Sequence, residues 1–386
     1  MTAPAKKQSP RTVVGIFALA SFLHDIGSDM VFSVWPLYVR DVLGFDMALL
    51  GLVDGLGDAV VSVSQAVSGY VSDRIRKRKV FIIAGYFLGG ISRLGYAAAG
   101  TLPVLIVSRL VDRSGKMRGA PRDAIVSEHS TDANRGRHFG ILRLMDNAGA
   151  AVGILLAVWL LPMLGYRNLF LVAAVPSFIA VAVVWACIRE TPDARRIFKG
   201  MRFADLNANT RLYMLLMGVF SLGSFSYSFL MVYAGTAGFS FTTVPLLYLL
   251  FTVVAAIVSV PFGKLSDRYG RKSVIFLSLA CWVCVGVALV YGHSMVWIAA
   301  AFAFYGLHKG AMEPVQRAFM AELAPPEYVA SAIGGLQLVI GLLSLPASLI
   351  AGVLWDKFGS GMPFVFSIAL TLLSGVMLLF VRERAR

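Results

Sequence analysis

Twelve apolar segments, each about long enough to cross a bilayer, occupy most of the chain: 12–39, 45–70, 80–99, 103–126, 138–161, 168–188, 211–234, 241–262, 272–292, 294–320, 327–354 and 361–381. A hydrocarbon core about 30 Å thick needs about 20 apolar residues of helix. Backbone in lipid must satisfy its own hydrogen bonds, which a helix does within one segment. Twelve spans in 386 residues leave connections too short for a folded soluble domain. The predicted fold class is an all-α membrane protein with twelve transmembrane helices. Composition agrees, because 15% of residues are charged and 58% hydrophobic, where a soluble domain carries about a quarter charged. An ordinary soluble enzyme, a disordered chain and a nucleic-acid-binding domain are excluded.

The net charge of +14 resolves into topology once it is mapped. With the N-terminus inside, the tails and even-numbered loops hold 23 Lys and Arg, at 6–11, 74–79, 135–137, 189–211, 264–272 and 382–386, and the opposite side holds three, Arg40, Arg167 and Lys357. This bias sets orientation. It places both termini in the cytoplasm of a multi-pass protein of the inner (cytoplasmic) membrane, and it removes the case for a nucleic-acid partner. The short basic stretch Met1–Arg11 precedes an apolar run containing His24, Asp25 and Asp29 with no small-residue cleavage site, so it reads as a retained first span. Cys187, Cys281 and Cys284 lie in apolar runs and read as packing residues. No cofactor motif is present, so no cofactor is expected.

An internal repeat divides the chain. Gly69-Tyr-Val-Ser-Asp73-Arg74 follows the second span, and Gly263-Lys-Leu-Ser-Asp267-Arg268-Tyr-Gly-Arg271-Lys272 follows the eighth, 194 residues later. The same offset pairs Ala124 with Ala318, Glu128 with Glu322 and Gly140 with Gly334. Two six-span halves, 1–188 and 211–386, are expected, joined by a basic cytoplasmic linker at 189–210. With its paired G-x-x-x-D-R-x-G-R-K loops the chain resembles the major facilitator superfamily over essentially its whole length. The second copy matches fully, while the first has Arg76 where the motif has Gly. An acid closing the fourth span (Glu128) and Arg135-Gly136 opening the fifth fit the same family; in the second half Glu322 persists, but Val329 stands where Arg135 would. The run Gly115–Asp123 is similar to a sparsely characterised bacterial branch. The resemblance implies two pseudo-symmetric six-helix bundles that alternate access to a site near the midplane, working as a monomer on a small-molecule substrate. Gly69, Asp73, Arg74, Glu128, Arg135, Gly263, Asp267, Arg268, Arg271 and Glu322 are the expected gating residues. An acid at a cytoplasmic helix end can pair with a base or a helix N-terminus in one state and release it in the other.

Charges inside the spans carry the functional reading, because each costs about 2.5–3.5 kcal/mol at the bilayer centre on insertion scales. Asp25 and Asp29 share one face of the first span, as do Asp54 and Asp58 in the second. Counting rise along two antiparallel helices puts these acids in two layers near mid-depth. Buried carboxylates resist ionisation, more so in pairs, so such a group can load a proton on one side and release it on the other; Asp25, Asp29, Asp54 and Asp58 are the expected proton-coupling residues. In the fourth span Arg109, Asp112, Arg113 and Lys116 form one polar stripe, and by the resemblance the first and fourth spans line the cavity. Arg93 in the third span is expected to snorkel outward or to pair with a second-span aspartate. The seventh span is rich in hydroxyls and rings (Ser221, Ser224, Ser226, Tyr227, Ser228, Tyr233), and the tenth carries His308, Lys309, Glu313 and Arg317. Arg109, Asp112, Arg113, Lys116, Tyr227, His308, Lys309 and Glu313 are the expected substrate-binding residues. The serines of the seventh span read as interhelical hydrogen bonding.

The expected activity is proton-coupled secondary transport of a small polar or charged organic solute. Direction tilts toward export, because Gly149-Ala-Ala-Val-Gly153 partly matches the family's antiporter motif, with Ile154 where the motif has Pro. Alternatives are proton-coupled uptake of an organic solute or siderophore, export of a divalent metal, and an intramembrane aspartyl protease suggested by Gly55-Leu-Gly-Asp58. No metal site is expected: the aspartates could bind a divalent metal, but an exporter of one would show several His or Met on one cavity face, where His24 is nearly alone.

Overall fold

The computed structural model describes residues 9–75, 77–130, 135–189, 206–240, 243–292, 294–324 and 329–383. Their regular structure is helical. In chain order the helices are α1 (Pro10–Phe32), α2 (Trp35–Leu37) continuing into a π-helical turn (Tyr38–Val42), α3 (Met47–Ile75), α4 (Arg78–Ala98), α5 (Leu102–Ser114), a 3₁₀ turn (Gly115–Arg118), α6 (Gly119–Glu128) and α7 (Arg135–Cys187). There follow α8 (Ala208–Gly223), α9 (Ser228–Thr236), α10 (Val244–Tyr269), α11 (Arg271–Tyr291), α12 (Met295–Leu323), α13 (Val329–Phe358) and α14 (Met362–Phe380). Among the described residues each expected segment falls mainly on helix. Nine described stretches are long and apolar enough to cross a bilayer. The segments expected at 103–126 and 294–320 are helical as well but carry several charges, and α7 breaks at Gly165, whose φ of 68° a side chain would resist.

The chain forms two compact units. The first comprises Met1–Phe32 and Val63–Phe198. Ser9 caps α1, its hydroxyl accepting the Thr12 N–H at 3.2 Å. One end of α1 joins a core of Val13, Phe17, Tyr86, Val126, Leu142 and Val184. Further along, α1 lies directly on α7, and small residues permit the approach: a Cβ at Gly149 or Gly153 would stand 3.0 Å from the Cα of Phe22 or Ile26. The two glycines read as a partial antiporter motif are thus packing contacts between helix backbones. Trp159, Met163 and Trp185 point outward, as lipid-facing side chains do.

The second unit comprises Ser33–Ser62 and Lys199–Arg386. It therefore includes α2 and the first half of α3. The α3 N-terminus is capped from α13, where Asp356 accepts the backbone N–H groups of Met47 (3.2 Å) and Ala48 (2.8 Å). Two turns on, a Cβ at Gly55 would lie 2.6 Å from the Cα of Leu345, so α3 and α13 touch backbone to backbone. Asn207 caps α8 by accepting the Thr210 N–H at 2.8 Å. The helix formed by α8 and α9 is interrupted over 224–227.

Candidate functional site

Within the first unit the acids of α1 meet bases from α5 through α6. Asp25 lies 3.8 Å from Arg118 Nη2, with both side chains largely buried. Arg118 also donates to the Gly115 carbonyl at 2.9 Å and rests 4.9 Å above the centre of the Tyr86 ring. Arg122 donates to Ser21 Oγ (2.6 Å) and pairs with Asp123 (3.1 Å) and Asp146 (3.5 Å). Lys116 and Asp146 are the other charges that act on Asp25. Asp29, one turn along α1, is half-buried. His24 is buried against the edge of Tyr86, 5.1 Å between ring centres.

The stripe of the fourth span is present but unevenly compensated. Arg109 is buried, with its guanidinium 5.1 Å from the Phe32 ring centre, and that of Arg113 is 4.4 Å from the same ring. Asp112 accepts Ser92 Oγ–H at 3.2 Å, while its second oxygen has no hydrogen-bond partner. Arg93 is 1% exposed, so it does not snorkel; it donates to the Gly89 carbonyl and acts electrostatically with Asp112 across the α4–α5 contact, not with a second-span aspartate in the first instance. Arg118 and Arg122 are functional candidates that sequence reasoning missed. The 3₁₀ turn explains why: at three residues per turn it slips the angular phase of a stripe counted at 3.6, so bases beyond Lys116 return to the same side as Asp25.

In the second unit a buried carboxylate holds the helix break. Asp54 is 1% exposed. Its Oδ1 accepts the indole N–H of Trp35 at 3.0 Å, and its Oδ2 accepts Ser226 Oγ–H at 2.7 Å and the hydroxyl of Ser228. Ser348 Oγ accepts the Ser226 backbone N–H at 3.3 Å. A carboxylate thus sits at the N-terminus of α9, where the helix dipole favours it. The serines do bond between helices, as expected, but their acceptor is the aspartate. Trp35 carries no charge and gave no sequence signal.

One turn along α3, Asp58 acts electrostatically on Tyr305 and Lys309. Lys309 Nζ lies 5.8 Å from the centre of the Tyr305 ring. Glu313, one turn further along α12, is exposed. His308 is buried, its Nδ1 within 2.9 Å of Ser278 Oγ and 3.0 Å of the Ser278 carbonyl, stacked near Tyr305 and Trp282; that places it in the packing of the unit. Tyr227, beside the helix break, meets Tyr248 at 5.2 Å, and rings continue through Phe251 to Tyr305.

At the end of α10 the second motif copy forms a network around Arg271. Its guanidinium pairs with Asp267 at 2.6 Å and Glu322 at 2.9 Å and donates to Ser266 Oγ at 2.5 Å. Gly270 adopts φ 97° to turn into α11. Arg268 stacks on Tyr269 instead of joining the network. Gly263 has no atom within 4 Å of where a Cβ would stand, and Gly69 faces Ala120 at 3.3 Å. Arg74 is exposed. The side chains of Asp73, Glu128 and Arg135, and the whole of Arg76, lie outside the described residues, as does the linker over 190–205. Among the described residues no three His, Cys, Asp or Glu side chains come together as a metal site.

Long apolar helices with ionisable side chains packed within them are the architecture of a multi-pass membrane transporter. The profile of the Major Facilitator Superfamily matches residues 17–234 and 213–386. The chain is 32% identical over 378 residues to an uncharacterised MFS-type transporter of Methanocaldococcus jannaschii, covering 95% of this chain and 94% of that one. It is 26% identical over 349 residues to the multidrug resistance protein MdtH of Aeromonas hydrophila, covering 88% and 86%. A crystal structure of the nucleoside transporter NupG superposes with a TM-score of 0.80 at 14% identity, covering 96% of this chain and all of that one. The chain belongs to the major facilitator superfamily, and it is a transporter, not an enzyme. The protease reading of Gly55-Leu-Gly-Asp58 is overturned: Gly55 is there because α13 leaves no room for a side chain.

Proposed function

We propose that this transporter is proton-coupled and moves a small polar or charged organic solute by alternating access of the halves 1–188 and 211–386, with both termini in the cytoplasm of a monomer in the inner membrane. The observation that carries the reading is the Asp25–Arg118 pair inside the spanning segments, with Arg122, Asp146 and Lys116 around it. A pair spaced at 3.8 Å gains little from its geometry and can be exchanged. Protonating Asp25 releases Arg118; returning the proton recaptures it. Asp29 lies one turn away, and Asp58 plays the corresponding part beside Lys309. A proton on Asp54 would displace one of its three donors, so its protonation loosens either its hold on α9 or its bond to Trp35. The stripe Arg109, Asp112, Arg113 and Lys116, with Tyr227, Lys309 and Glu313, forms the substrate-recognising set, while His308, expected there, packs against Ser278 instead, and the Asp267–Arg271–Glu322 network is the gate of the second motif copy. Likeness to a multidrug resistance protein favours export. The test is flux into proteoliposomes with and without an imposed pH gradient: gradient-dependent transport with proton counterflow supports the proposal, and flux indifferent to the gradient refutes the coupling.

A further inference from the structure

Four bases of the first unit fall into two classes. Arg118 and Arg122 each have an acid of the same unit within 4 Å and a further hydrogen-bonded oxygen. Arg113 and Lys116 have neither among the described residues: no acid within 4 Å and no hydrogen bond, although Arg113 Nε is buried. The guanidinium carbon of Arg113 lies over the Phe32 ring, 4.4 Å from its centre, a contact that uses none of its N–H donors. Lys116 follows one turn later on the same stripe, and Arg93 adds two more buried donor nitrogens without acceptors. Asp25 and Asp112 act on Lys116 only beyond ion-pair distance, and one Asp112 oxygen is already taken by Ser92. A spanning segment that keeps two cations without an ion-pair partner leaves room for a counter-charge from outside the protein. Water serves the buried Arg113 Nε poorly.

We infer that the transported solute is an organic anion whose carboxylate or phosphate is taken jointly by Arg113 and Lys116. Arg113 offers a planar fork that matches either group, and Lys116 a mobile point charge that tolerates both. The ring beneath Arg113 keeps the fork in place when the site is empty. The inference deepens the transporter reading, and it rests on that reading only for the statement that the bound anion travels.

The full-length protein in nanodiscs, at constant ionic strength, tests it by thermal shift with benzoate, citrate and inorganic phosphate as probes. Benzamide, the neutral counterpart of benzoate, glucose and tetraethylammonium serve as comparisons. Saturable stabilisation by at least one anion is expected, with benzamide inert. Arg113→Gln and Lys116→Gln should each raise the half-saturating concentration about tenfold or more, while Arg167→Gln, exposed and outside the stripe, leaves it unchanged. The benzoate–benzamide comparison uses wild-type protein and stands even if a variant fails to fold. Absence of a saturable shift with all three anions, equal stabilisation by benzamide, or unchanged anion binding in both stripe variants overturns the inference. Anion binding without any flux in proteoliposomes would leave the inference standing and remove the transport reading of the site; pH-driven flux of a neutral or cationic solute with no anion binding would do the reverse.

Discussion

Replacing Asp54 by Asn changes one oxygen into an NH₂ group at a site where three donors already converge. The indole N–H of Trp35 approaches one oxygen at 3.0 Å, and the hydroxyls of Ser226 and Ser228 approach the other. If the Asn carbonyl keeps the serines, its NH₂ faces the Trp35 N–H, donor against donor. If it turns to Trp35, the NH₂ faces two hydroxyls whose own protons must then find new acceptors. In the first arrangement one bond is lost and two others fall from charge-assisted to neutral; in the second both serine bonds to the acceptor are lost, which costs at least as much. An orphaned buried donor costs about 1–3 kcal/mol and each weakened bond about 1 kcal/mol, so Asp54→Asn should destabilise the second unit by about 3–5 kcal/mol. Trp35→Phe removes one charged hydrogen bond, about 1.5–3 kcal/mol. The double variant should cost less than the sum by about 1.5 kcal/mol, because without the indole the Asn carbonyl can serve the serines unopposed. Cys281, buried in the same unit, supplies the assay: maleimide-dye labelling during thermal or denaturant unfolding in detergent, on a Cys187→Ser, Cys284→Ser background. Strict additivity of the two substitutions, or a loss below about 0.5 kcal/mol for Asp54→Asn, would refute the three-donor account.

Other outcomes follow from the same contacts. Asp25→Asn and Asp58→Asn should each abolish pH-gradient-driven flux while leaving expression intact; normal transport by both at mildly acid and mildly alkaline pH would remove them from the coupling path. Asp267→Ala frees Arg271 from its 2.6 Å partner and should slow transport more than it weakens substrate binding, which single-turnover flux set against equilibrium binding would separate. Gly153→Leu drives a side chain into the α1 backbone at Ile26 and should cost at least about 1–3 kcal/mol of overpacking, seen as loss of the monodisperse peak in size exclusion. The glycines of the second motif should differ: Gly270→Ala, at φ 97° and facing the Glu383 carboxylate, is strained, whereas Gly263→Ala meets open space and should leave the unfolding temperature nearly unchanged.

The helices were legible because lipid imposes a one-dimensional rule. Every span must be apolar over about 20 residues, so segment positions can be read by counting, and the count of basic residues on each side supplies the proposed orientation. The repeat 194 residues apart was legible for the same reason: Gly69-x-x-x-Asp73 and Gly263-x-x-x-Asp267 are local strings. Counting also found which side chains carry charge inside the spans. It did not find their partners. Asp25 and Asp58 were placed at one depth by rise per residue, yet Asp25 pairs with Arg118 in one unit and Asp58 acts on Lys309 in the other. Partner choice depends on rotation about each helix axis, on the 3₁₀ turn that shifts Arg118 and Arg122 into reach, and on the helix break that turns Ser226 and Ser228 toward Asp54. Those are consequences of packing, set by glycines such as Gly27, Gly55 and Gly149 that fix how closely two backbones approach. The chain's class and helical segments were determined by its sequence alone, through hydrophobicity along one dimension; which charges have an ion-pair partner within the protein was decided only by the tertiary structure, because an ion pair is a distance in three.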